Sequence, residues 1–176
     1  GVLRGILRRN SIIENNINQT MHSYAEIVGE MERFFAEGIR ILFLSGGETL
    51  LWRDGEHNVH DLIAAGRRIG FFLINVVTNG TVSLDLPDAD LVFLSLDGMR
   101  ETNDRIRGQT FDTVMANLDE SGETRICLYA AINAVNLGEI EALADLARDH
   151  PRLLAISFNF HTPYRLTESL CLSEED

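Results

Sequence analysis

The sequence predicts an α/β fold built on a parallel sheet that curls into a barrel or part of one. Three observations carry this. Segments of helical and strand patterning alternate from Ser23 to Phe160, giving five strands and four helices. The strands are short and bulky, as in a sheet buried on both faces, and each crossover reads as helical, which suits parallel pairing. Every strand also runs into turn-forming or hydrogen-bonding residues: Gly46-Gly47-Glu48, Thr78-Asn79-Gly80, Ser95 with Asp97-Gly98, Asn133 with Asn136, and His161. In a parallel barrel these endings share one rim, and ligands bind at that rim.

The elements follow in order. Residues 10–21 are polar and Asn-rich and read as a loop. Ser23 and Glu26 form an S-x-x-E capping box, and Ile27, Val28, Met31, Phe34 and Phe35 then keep the rhythm of one buried helix face until Gly38. Arg40 to Ser45 is the first strand. A second helix spans about Asn58 to Ile69, with Val59, Leu62, Ile63 and Ile69 inward and Gly70 as its stop. Phe71 to Val77 and Leu91 to Leu96 are strands, joined by Leu84 to Asp90, which Pro87 breaks. Met99 to Gly108 is polar and rich in Arg and Asp, and is not among the four expected helices. Phe111, Val114, Met115 and Leu118 mark a third helix reaching about Glu120. Arg125 to Ile132 is a strand, Leu137 to Asp149 a helix, and Leu153 to Phe160 the last strand.

The bulk numbers exclude several classes. A chain of 176 residues that is 45% apolar can bury a core, and the expectation is a single domain over 1–176. The net charge of −12 argues against a diffuse basic surface for nucleic acid or anionic lipid. No apolar run approaches bilayer length, so the expectation is no membrane partner and a cytoplasmic location. Cys127 and Cys171 have no metal-ligand spacing. The chain starts without Met and stops on the charged run SEED, so it reads as a piece of a longer polypeptide.

The stretch Ile41 to Trp52, ILFLSGGETLLW, holds the sharpest candidate site. Its glycine pair permits a turn and close backbone approach, and Glu48 puts a carboxylate at the strand's carboxyl end. Such a carboxylate suits an ammonium better than a phosphate. Ser45-Gly46-Gly47-Glu48-Thr49-Leu50-Leu51 resembles the GGEP-L motif of radical S-adenosylmethionine (radical SAM) enzymes, with Thr49 where Pro is usual. Thr78-Asn79-Gly80-Thr81 resembles that family's TNG turn. Ser95-Leu96-Asp97-Gly98, Asn103-Asp104-Arg105-Ile106-Arg107-Gly108 and Phe111 resemble its S-x-D-G…H-D-x-x-R-G…F series, with Asn103 in the usual His place. Asn136 falls where the family often has a polar residue. The likeness is ordered and covers nearly the whole chain.

The resemblance implies a partial parallel (β/α)6 barrel whose first strand is missing. It implies that Gly46, Gly47 and Glu48 hold the amino group of S-adenosylmethionine, that Asn79 joins the cofactor-binding rim, that Ser95 and Asp97 lie near the ribose, and that Asn136 approaches the carboxylate or ribose side. The substrate, a small molecule or a peptide, stays open. The family's C-x-x-x-C-x-x-C ligands for a [4Fe–4S] cluster would fall on Gly1, Gly5 and Arg8. Glycine offers no ligand and Arg8 brings a permanent cation where a thiolate belongs. The family chemistry, reductive cleavage of S-adenosylmethionine to a 5′-deoxyadenosyl radical, is therefore expected to be silent in this chain, as in a pseudoenzyme. The alternative is a non-catalytic (β/α) domain that binds a metabolite or a partner protein.

Other candidates weigh less. His57 and His60 could share a helix face but lack a third metal ligand; His161 ends a strand on the rim; Arg100, Arg105 and Arg107 are expected to pair with Glu101 and Asp104, the alternative being a carboxylate of the substrate. The cluster frame is testable by the triple change Gly1→Cys, Gly5→Cys and Arg8→Cys. Anaerobic reconstitution should then load iron and sulfide with the absorbance of an iron–sulfur cluster, and a colourless, iron-free product would refute the frame.

Overall fold

The structure, a computed structural model, describes residues 22–162 and 170–172. Gly1, Gly5, Arg8 and the loop expected over 10–21 lie outside the described residues. The first helix, α1 (Tyr24–Ala36), opens with the expected capping box: Glu26 N–H donates to Ser23 Oγ and Ser23 N–H to Glu26 Oε2. The helix α2 (Val59–Ile69) has the same device from Asn58 and Asp61, and Gly70 closes it at φ 110°. The strands are β1 (Ile41–Leu44), β2 (Leu73–Thr78), β3 (Leu91–Ser95), β4 (Ile126–Ile132) and β5 (Leu153–Phe160). They form one five-stranded parallel sheet in sequential order, β1-β2-β3-β4-β5. That order and direction are those of a partial parallel (β/α) barrel.

The described chain divides into two compact units. One holds residues 22–78 with 86–92, the other 79–85 with residues from 93 onward. In the first, Ile74 and Val76 of β2 and Leu62, Ile63 and Ala65 of α2 are buried, and Gly66 lets Ile74 and Leu42 approach the helix backbone. In the second, Leu94, Leu128, Ala130 and Ile132 are buried with Val114, Leu118 and Leu143 from the helices α4 (Phe111–Asp119) and α5 (Ile140–Asp149).

Three expectations fail. The segment 99–108 is not irregular: Arg100–Arg107 forms a helix, α3. Its sequence RETNDRIR has no apolar stripe, so periodicity cannot find it, and contacts from distant residues hold it instead. The β2–β3 connection has no helix. Gly80 at φ 74° and Pro87 forbid a regular one, and Leu84, Leu86 and Ala89 bury themselves from an irregular path. The first strand is not buried on both faces: β1 lies at the sheet's edge among the described strands, and Ile41 is 41% exposed.

Gly80 is the glycine that packing demands. A Cβ there would stand 2.3 Å from Leu94 Cδ1 and 3.2 Å from Val114 Cγ1, on a left-handed backbone. Because Leu94 is fully buried, it has little room to yield. Gly80→Ala should lower stability by about 1–3 kcal/mol in urea unfolding. Gly46→Ala, with open space at the site of its Cβ, should leave the same midpoint in place or raise it slightly. Equal effects from the two substitutions would contradict this packing.

Candidate functional site

In the first unit the candidate residues are local to the end of β1. Gly46 and Gly47 are exposed, neither has the left-handed φ that demands glycine, and among the described residues nothing lies within 4 Å of a Cβ added to either. Neither backbone strain nor packing explains the pair; the open space beside it is room for something to come close. Glu48 then caps the short 3-10 turn Thr49–Leu51. Its Oε1 accepts from Leu50 N–H at 3.0 Å and from the Thr78 hydroxyl at 2.6 Å. The carboxylate is thus held from its own turn and from the end of β2. Thr78 was legible only as part of a turn; no local pattern announces that it reaches Glu48, thirty positions away. Thr49 begins the 3-10 turn, a position that suits Pro because no intrahelical acceptor awaits its N–H. Its buried hydroxyl finds no partner among the described residues.

In the second unit the candidate residues are organised by Asp97, 5% exposed. All four of its polar atoms are engaged. Its N–H donates to Asn103 Oδ1 at 3.2 Å, and its carbonyl accepts from Asn136 Nδ2 at 2.7 Å. Oδ1 accepts from Ala131 N–H at 2.8 Å, and Oδ2 accepts from both Nε and Nη2 of Arg107 at 2.7 Å. Arg107 therefore pairs with Asp97, not with Glu101 or Asp104 as expected. Arg100 pairs with Asp112 on the surface, where the guanidinium holds that carboxyl below its usual range.

Asn136 has no exposed surface and spends its amide on backbone. Nδ2 donates to Asp97 O and to Ala131 O, and Oδ1 accepts from Asn133 N–H. Asn133 in turn accepts from Val135 N–H. Glu139 adds a brace with no sequence signal: Oε2 accepts from Met99 N–H and Oε1 from the Thr102 hydroxyl, each at 2.6 Å. It caps α3, whose own N-cap residue Met99 has no side chain for the task. Gly98 makes the approach possible, since a Cβ there would meet Glu139 Oε2 at 2.7 Å.

The rest of the 103–111 motif is structural as well. Asp104 Oδ1 accepts from the N–H groups of Thr110 and Phe111 at 2.9 Å and so caps α4 from outside. Gly108 takes φ 81° at the corner, and Asn103, fully buried, reaches the Thr110 hydroxyl. Asn79 Oδ1 accepts from both the N–H and the hydroxyl of Thr81, which sets the turn after β2. Ser95, 8% exposed, ends β3.

The sequence profile of the Radical SAM superfamily matches residues 9–151. The chain belongs to the radical SAM superfamily. A curated relative, Fe-coproporphyrin III synthase of Methanosarcina barkeri (strain Fusaro / DSM 804), is 30% identical over 149 residues, covering 78% of this chain and 36% of that protein. The chain therefore spans about a third of that relative's length.

For a radical SAM chain, the question of a cluster follows at once. Among the described residues no group of three His, Cys, Asp or Glu is placed to hold a metal. Cys127 is buried in β4, where burial pushes its thiol up, away from the thiolate that iron requires, and Cys171 is a separate free thiol. His57 precedes α2 and stacks on the Tyr24 ring at 4.0 Å, so it does not share a helix face with His60. His161 N–H donates to Ile132 O, which continues the β4–β5 ladder past the end of β5. No helix of the described residues is long and apolar enough to cross a membrane.

Proposed function

We propose that this chain binds S-adenosylmethionine as a radical SAM core, with Gly46, Gly47 and Glu48 taking its amino group. The observation that carries the proposal is Glu48. Its carboxylate sits at the carboxyl end of a parallel strand, fixed by Leu50 N–H and the Thr78 hydroxyl beside two glycines with open space. A fixed anion and an uncluttered backbone suit an ammonium group, which needs acceptors and close approach. Asn79 and Ser95 belong to the nucleoside side in this reading. Asp97 and Asn136 act there through the backbone they hold, since their own polar atoms are already bonded.

The superfamily's [4Fe–4S] cluster, where bound, supplies the electron that cleaves S-adenosylmethionine to a 5′-deoxyadenosyl radical. The described residues offer no ligand set for it, and Gly1, Gly5 and Arg8 cannot serve as thiolate ligands. As written, the chain is proposed to bind S-adenosylmethionine without starting radical chemistry. The Thr78–Glu48 contact supports a residual affinity that needs no iron, because it fixes the carboxylate from the protein side alone.

Isothermal titration of the full chain with S-adenosylmethionine should show binding that Glu48→Ala weakens by tenfold or more, about 1.4 kcal/mol. Thr78→Val should weaken it less. Binding that is indifferent to Glu48→Ala would refute the assignment and favour the non-catalytic metabolite or partner-binding reading.

A further inference from the structure

The motif that spans Ser95 to Phe111 would ordinarily be read as a row of ligand contacts. Its geometry points elsewhere. Each polar atom of Asp97 already has a protein partner, and its carboxylate is paired with a guanidinium bonded through two nitrogens. Glu139 lies three positions beyond Asn136 in sequence and closes the same knot from the opposite side, on Met99 and Thr102. The segment 97–99 is thus tied to α3 through Asn103 and Arg107, to β4 through Ala131, and to the turn after β4 through Asn136 and Glu139.

We infer that Arg107 and Glu139 are positioning residues that set the nucleoside half of the S-adenosylmethionine site by fixing the β3 tip. This rests on the S-adenosylmethionine reading above. Neither side chain touches the ligand in this account. Each holds backbone just beyond Ser95 at the end of β3, and each does so from a different chain segment. Arg107 acts on the carboxylate of Asp97. Glu139 acts on the next turn of chain, where Gly98 leaves room for its oxygen. A ligand group that depends on the β3 tip should therefore feel both residues. A group that depends on Glu48, in the other unit, should feel neither.

Two ligands separate these ends. S-adenosylmethionine carries both the nucleoside and the amino acid; 5′-methylthioadenosine carries the nucleoside without an amine. Titrations of the full chain should show Glu139→Ala and Arg107→Met weakening both ligands by about tenfold. Glu48→Ala should weaken only S-adenosylmethionine. Glu139→Gln, which keeps an acceptor for Met99 N–H while the Thr102 hydroxyl can turn, should recover most of the affinity for both. If Arg107→Met does not fold, the Glu139 pair decides the matter in the same assay. Unchanged 5′-methylthioadenosine affinity in Glu139→Ala, with S-adenosylmethionine still sensitive to Glu48→Ala, overturns the positioning role and leaves the site reading intact. Failure of the wild-type chain to bind either ligand overturns both.

Discussion

A single buried carboxylate holds the second unit in order. Asp97 is nearly inaccessible and stands at the end of β3, where backbone would otherwise leave the sheet unsupported. Its pairing with Arg107 is the kind that cannot lose a partner cheaply: a buried charge stripped of its counter-ion costs about 3–5 kcal/mol. Because that pair also anchors α3, a helix without an apolar stripe persists on the surface of the fold. Asp104, Gly108 and Phe111 then follow from the placement of α3, since Asp104 caps α4 only when α3 presents it to Thr110 and Phe111. One ion pair thus links a strand end, two helices and the neighbouring strand through Ala131.

The two units use their carboxylates differently. Glu48 Oε1 accepts from Leu50 N–H and the Thr78 hydroxyl, next to a glycine pair with no described atom within 4 Å of an added Cβ. Asp97 is consumed by its own fold. Both belong to motifs that mark the superfamily, so a shared motif does not by itself distinguish a group that meets the ligand from one that holds the wall.

Much of the fold was legible because it rests on periodicity and local chemistry. The capping box at Ser23 and Glu26, the αL stop at Gly70 and the bounds of β5 are decided within a few residues of themselves. What escaped depends on partners far away in sequence. The helix α3 is stabilised by Glu139 and Asp97 rather than by an apolar face. The irregular β2–β3 connection buries Leu84 and Leu86 without any helical rhythm, and β1 is exposed because of where it falls in the sheet order. At the site, the sequence pointed to Gly46, Gly47, Glu48, Asn79, Ser95, Asp97 and Asn136. It could not tell that Asn136 turns its amide onto backbone, or that Thr78 reaches Glu48 and Glu139 reaches Met99 and Thr102. An isolated Thr or Glu carries no pattern.

The most direct test of this account is native-state hydrogen exchange at four amides that donate to side chains of the knot: Asp97, Met99, Ala131 and Asn133. If the knot holds the strand tip as described, all four should exchange as slowly as the buried centre of β4, through global unfolding alone. Exchange of these amides at the rate of an open loop, while β4 stays protected, would contradict it.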